Sequence, residues 1–178
     1  EKKNLLNRLR ENIAIIGSSD ESKLTKQLIV KIAPTAHWVL LQGEMGTGKE
    51  LIANNIHYLS TRASYSFVDI KCSQIPQDLM EGELFGYEEG SLVGSKEERR
   101  GKFDLAHRGT LFLDDIDCLS PNLQEKLYRF LQTSKIQRSG GTKNIELDVR
   151  VVGASSKDIT AEGAAGRGLP HGRGRDFR

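Results

Sequence analysis

Gly43-Glu44-Met45-Gly46-Thr47-Gly48-Lys49-Glu50 follows the apolar run Trp38-Val39-Leu40-Leu41 and precedes Leu51, Ile52, Ile56 and Leu59, which recur at helical spacing. A short apolar run suits a buried strand, and the 3.6-residue recurrence suits an amphipathic helix. The unit therefore reads as strand, glycine loop, helix, one repeat of a parallel sheet. The loop fits the first seven positions of G-x-x-x-x-G-K-[ST]. Phosphate oxygens carry dense negative charge and need several donors converging on them. Glycines let consecutive backbone N–H groups turn inward, and the following helix adds the positive end of its dipole. Lys49 is placed to reach the β- and γ-phosphates of a nucleotide, with Gly43, Glu44, Gly46, Thr47 and Gly48 forming the cradle. The plainer reading, a glycine turn with a solvated lysine, does not account for the flanking strand and helix.

Outward from the loop, the same alternation continues. Residues 21–33 put Leu24, Leu28 and Ile32 on one helical face, and Ser66–Ile70 reads as a second strand. Gln77–Leu84 reads as a short helix, and residues 86–102, rich in glycine and charge, as an exposed excursion. Thr110-Leu111-Phe112-Leu113 is a buried strand that ends in Asp114-Asp115. Ser120 and Pro121 supply an N-cap and a first helical position, and Leu123, Leu127, Phe130 and Leu131 give that helix its apolar face. Ile145–Leu147 and Val149–Ala154 read as further strands. A three-layer α/β domain is expected, with a mostly parallel sheet between helices. Residues 1–12 carry Leu5, Leu6 and Leu9 on one side of a peripheral helix.

At the end of its strand Asp114 is placed to hold Mg²⁺ and Asp115 to orient or deprotonate an attacking water. Adjacent acids at a strand end also serve as solvated caps. With a glycine loop about 65 residues upstream, the catalytic reading is preferred. Glu50 stands where a Ser or Thr hydroxyl ordinarily touches Mg²⁺; a carboxylate is also a Mg²⁺ ligand. The expected cofactors on these residues are a nucleoside triphosphate and Mg²⁺.

Composition narrows the classes. The 26 Lys+Arg nearly balance the 24 Asp+Glu and are dispersed, so no nucleic-acid groove or direct DNA contact is expected. No apolar run approaches the roughly 20 residues of a membrane span. Cys72 and Cys118 read as free thiols in a reducing, cytoplasmic setting in preference to a disulfide. Residues 161–178 hold five glycines, four arginines and almost nothing apolar, so they are expected to be a disordered tail after the folded core, 1–160.

Several motifs together resemble the AAA+ central domain of sigma-54-dependent transcription activators, the NtrC-like bacterial enhancer-binding proteins. GEMGTGKE at 43–50 resembles that family's GESGTGKE, and ELFGYE at 83–88 its ELFGHE. GTLFLDDI at 109–116 is similar to GTLFLDEI, and DVRVVGASS at 148–156 to DVRIIAATN. The resemblance runs from Ile15 to Ile159. It implies an ATPase that assembles as a homo-oligomeric ring and remodels RNA polymerase carrying sigma-54. It also implies that Ile16 and Gly17 lie beside the adenine and that Ser156 occupies the sensor position, which is Asn in the family.

The departures bear on activity. The family's polymerase-contacting GAFTGA loop aligns with Gly90-Ser91-Leu92-Val93-Gly94-Ser95, so both glycines are kept but the Phe-Thr pair becomes Leu92-Val93. The second acid is Asp115, shorter than Glu, and an Asn that positions it in the family is replaced by Lys71, a residue able to pair with Asp115. The family's arginine fingers and helical lid have no counterpart in the tail. Third bases chosen freely allow the codons of Gly166 to Arg173 to be read one base later as Glu-Gly-Gly-Phe-Arg-Thr-Asp-Val, which fits the family's G-x-F-R-x-D. A frameshift after Thr160 is one reading of that tail. Three functions are in play: an ATP-driven activator domain, a nucleotide-responsive regulator with weakened catalysis that does not engage sigma-54, and a generic AAA+ remodeler. The ELFG segment with its following excursion disfavours the third.

Overall fold

A computed structural model of the chain describes residues 19–90 and 98–157. The peripheral helix expected over 1–12, Ile16, Gly17, Leu92, Val93, Gly94 and the tail after Lys157 lie outside the described residues.

Four strands form one parallel sheet: β1 (Val39–Gln42), β2 (Phe67–Lys71), β3 (Thr110–Asp114) and β6 (Arg150–Ser155). Their spatial order is β1-β6-β3-β2. Side-chain alternation sorts the sheet into two faces. Phe112, Val152 and Ala154 face Ile29 and Ile32 of α1 (Asp20–Ile32) and Ala53 and Ile56 of α2 (Lys49–Tyr58). Leu111, Leu113 and Val151 face the opposite layer, built from α3 (Gln77–Phe85), α4 (Lys102–Leu105) and α5 (Pro121–Thr133). The three-layer expectation holds, and strands covered on both faces explain why β3 reads as an unbroken apolar run.

Local signals behave as their chemistry requires. Ser120 accepts from the Leu123 backbone N–H at 3.5 Å, with Pro121 at the first helical position of α5. Ser19 caps α1 through the Ser22 N–H at 3.2 Å. Arg150, 2% exposed, closes the other end of α1: its guanidinium donates to the carbonyls of Ile32 (2.9 Å), Ala33 (2.6 Å) and His37 (3.2 Å). Burial, with a smaller push from Arg62, lowers its pKa to about 10. Those contacts fasten the α1–β1 connection, and hence the entry to the glycine loop, onto β6.

Two expectations are corrected. Ile145–Leu147 does not join the central sheet; β5 (Ile145–Glu146) pairs antiparallel with β4 (Lys135–Ile136), a two-residue strand directly after α5. Nor is the 86–102 excursion exposed at its root. Tyr87 forms bridges with Arg99 and Ser139, and a Cβ on Gly101 would lie 2.4 Å from Gly86 N, so the two chain ends pass backbone to backbone. Arg138, 5% exposed in its side chain, pins this root by pairing with Asp104 at 2.7 Å and with Glu98.

Candidate functional site

Because the strands are parallel, the loops after β1, β2, β3 and β6 all emerge at one end of the sheet, where α/β domains place ligands. The glycine loop leaves β1 after Gln42, anchored by Gly43 N–H to the Ser155 carbonyl at 3.2 Å. Gly46 (φ 81°) and Gly48 (φ 79°) occupy the left-handed region that only glycine enters at little cost. Gly48 precedes α2 without a side-chain cap, so the first N–H groups of the helix stay available to a ligand. Thr47 closes the turn by donating from its hydroxyl to the Glu44 carbonyl at 2.8 Å. The Lys49 ammonium folds over its own loop, donating to the carbonyls of Gly43 (2.8 Å) and Glu44 (2.9 Å).

The acids arrive from β3. Asp114 Oδ1 accepts from the Asp115 N–H at 3.0 Å. Asp115 has left the strand into the left-handed region (φ 53°), and its Oδ2 accepts from the Ser73 hydroxyl at 2.5 Å. Lys71 ends β2 in register with Asp114, and its ammonium lies 4.0 Å from Asp114 Oδ2. The expected Lys71–Asp115 pair is therefore corrected to Lys71–Asp114, because direct cross-strand partners are set by register while Asp115 has already turned away. Ser73 was not singled out from the sequence; it becomes visible once the turn Cys72–Gln74 is seen packed beside Ile116–Cys118. Cys72 and Cys118 in those turns are free, and burial first, then the other thiol and the nearby carboxylates, pushes the Cys72 thiol up to about 12.

Gly46, Gly48, Lys49, Glu50, Lys71, Asp114, Asp115 and Ser156 line one cleft of about 410 Å³. Gly43 and Thr47, again with Lys49, line an adjoining groove of about 360 Å³ whose other wall is α1, β1 and Ile52 of α2. Beneath Ser156, the Ser155 hydroxyl donates to Asp117 Oδ1 at 2.7 Å and the Lys157 ammonium lies 3.0 Å from Asp117 Oδ2. Burial opposes ionisation of Asp117, but those hydrogen bonds outweigh it and hold the carboxyl below its ordinary range. Gly90, within the 86–102 excursion, has φ 76°. Among the described residues no group of three His, Cys, Asp or Glu forms a protein-only metal cage, and no helix is long and apolar enough to cross a membrane. Glu50 and Asp114 in one cleft still fit Mg²⁺, which is ordinarily held by one or two carboxylates plus phosphate oxygens and water.

A parallel sheet that brings a glycine loop with its lysine and a strand-end acid pair to one cleft defines a P-loop NTPase domain. This chain belongs to the sigma-54 interaction domain family, which matches residues 15–168. It is 41% identical over 169 residues to the Nif-specific regulatory protein of Herbaspirillum seropedicae, covering 93% of this chain and 31% of that protein. It is 49% identical over 149 residues to a signal-transduction and transcriptional-control protein of Clostridium beijerinckii, covering 83% of this chain and 24% of that one. The crystal structure of NtrX from Brucella abortus in complex with ADP superposes with a TM-score of 0.79 at 31% identity, over 95% of this chain and 36% of NtrX. The chain thus spans less than a third of the length of these two regulators, and about a third of NtrX.

Proposed function

We propose that this domain binds ATP in the cleft between the glycine loop and the end of β3. Within a longer regulator, it couples nucleotide binding or hydrolysis to ring assembly and to remodelling of RNA polymerase carrying sigma-54. The observation that carries the reading is convergence: Lys49 on α2 is about 65 residues from Asp114, which ends β3, and Asp115, which follows it, yet all three face one cleft. Membership of the sigma-54 interaction domain family and likeness to an ADP-bound regulator support it.

Each residue has a role that its chemistry suits. Lys49 exchanges its two loop carbonyls for phosphate oxygens, while Gly46, Thr47 and Gly48 present backbone N–H groups. Glu50 and Asp114 are the residues that would hold Mg²⁺, whose charge neutralises the phosphates when it is bound. Asp115 is the base that takes a proton from the attacking water, and Ser156 contacts the terminal phosphate from the end of β6. The Ser73 hydroxyl on Asp115 Oδ2 must turn away, or keep to that one oxygen, for the base to act. Turnover is accordingly slow.

The second reading, a nucleotide-responsive regulator that does not engage sigma-54, is favoured by the same two contacts, Lys71 on Asp114 and Ser73 on Asp115. Measuring ATP turnover and nucleotide affinity side by side on the full-length regulator separates them. The first reading expects Asp115→Asn to lower turnover about a hundredfold, with affinity changed about threefold or less. Turnover at background in the unaltered protein, with binding intact, supports the second.

A further inference from the structure

Lys71 enters the cleft from the side opposite the glycine loop. It is the last residue of β2, directly across from Asp114, and 45% of its side chain is exposed. It lines the cleft together with Lys49, Glu50, Asp114 and Asp115. Those residues put three carboxylates and two ammonium groups around the space a polyphosphate would occupy. Lys49 belongs to the loop, where it is held by two carbonyls. Without Lys71, the acid-lined wall would present only negative charge to an incoming phosphate chain, and a divalent ion would be needed to bridge the two.

An ammonium 4.0 Å from Asp114 Oδ2 lies beyond hydrogen-bond distance, so the pair attracts without using up the three donors of Lys71. The same group offsets the Asp114 charge and offers N–H donors on the wall where a divalent ion would sit. We propose that Lys71 is a built-in counter-cation for the phosphate chain, so that nucleoside di- and triphosphates bind here with little dependence on a divalent cation. The inference rests on the nucleotide reading of the cleft. It differs from a purely structural role, in which Lys71 merely neutralises Asp114 and has no bearing on how chelation affects binding.

The test titrates a fluorescent ADP analogue into the unaltered protein, Lys71→Gln and Lys71→Arg, each in excess Mg²⁺ and in EDTA at matched ionic strength. Lys71 is at a half-exposed strand end, and Lys71→Arg keeps the charge if the glutamine variant proves poorly folded. The expected result is that chelation weakens binding about threefold or less in the unaltered protein and in Lys71→Arg. In Lys71→Gln it weakens binding about tenfold or more, the scale of one charge-assisted contact. An equal response to chelation in the unaltered protein and Lys71→Gln, with Mg²⁺-supported binding intact, overturns the role of Lys71 and leaves the nucleotide reading standing. Absence of binding by all three proteins in both conditions overturns the nucleotide reading and this inference with it.

Discussion

Replacing Arg150 with leucine opposes two effects whose magnitudes can be weighed. The guanidinium is 2% exposed and donates to the carbonyls of Ile32, Ala33 and His37. The Ile32 carbonyl keeps the Thr35 N–H (3.0 Å) and the Thr35 hydroxyl (2.8 Å), so two acceptors are orphaned, at about 1–3 kcal/mol each where they stay dry. Against that, removing a buried charge relieves desolvation; a pKa lowered to about 10 corresponds to a penalty on the order of 3 kcal/mol. Swapping buried charged groups for apolar ones can even stabilise a protein when the desolvation penalty dominates. Here the hydrogen bonds win, because the carbonyls of Ala33 and His37, in the connection between α1 and β1, would lose the Arg150 guanidinium together. Arg150→Leu should destabilise the domain by about 1–3 kcal/mol, a drop of roughly 2–12 °C in Tm for a domain of this size. Arg150→Lys, a single compact donor group, should fall between. Urea unfolding followed by circular dichroism, with the slope checked for two-state behaviour, measures it. A Leu variant as stable as the unaltered protein, or more so, would refute the reasoning and show that desolvation dominates.

Two further outcomes are expected. Burial lowers the pKa of His57, opposed in part by a hydrogen bond to the Tyr65 backbone and aided by a smaller push from Arg150; its Nδ1 lies 2.9 Å from the Thr110 hydroxyl. The unfolded chain therefore takes up this proton before the folded one does. Stability should fall as pH drops below about 6.5, and His57→Gln should flatten that slope between pH 7.5 and 5.5 in thermal melts; an unchanged slope contradicts the assignment. In the full-length regulator, Leu92→Phe with Val93→Thr should raise open-complex formation at a sigma-54 promoter from a low starting level, whereas strong activation by the unaltered protein removes the idea.

The glycine loop, the β3 run and the α5 start signals were legible because each is local: a strand, a cap or a turn announces itself within a few residues. The strand pair β4–β5 was not, since Lys135-Ile136 is too short to show any period and its partner lies across an eight-residue connection. The root of the 86–102 excursion misled for a related reason. Glycine and charge suggest exposure, yet Gly86 and Gly101 are there to let two backbones touch. At the site, residue identities were readable and pairings were not. Lys71 meets Asp114 because β2 and β3 are neighbours in a particular register, and Ser73 meets Asp115 because two short turns pack together; both depend on strand order.

The central claim, that the cleft holds a nucleotide by its phosphates, is tested most directly by titrating a fluorescent nucleotide into the unaltered protein and Lys49→Ala. Loss of one charge-assisted phosphate contact should cost roughly 1.5–3 kcal/mol, weakening binding by about one to two orders of magnitude. Equal affinity of the two proteins would mean that the glycine loop is not a phosphate cradle.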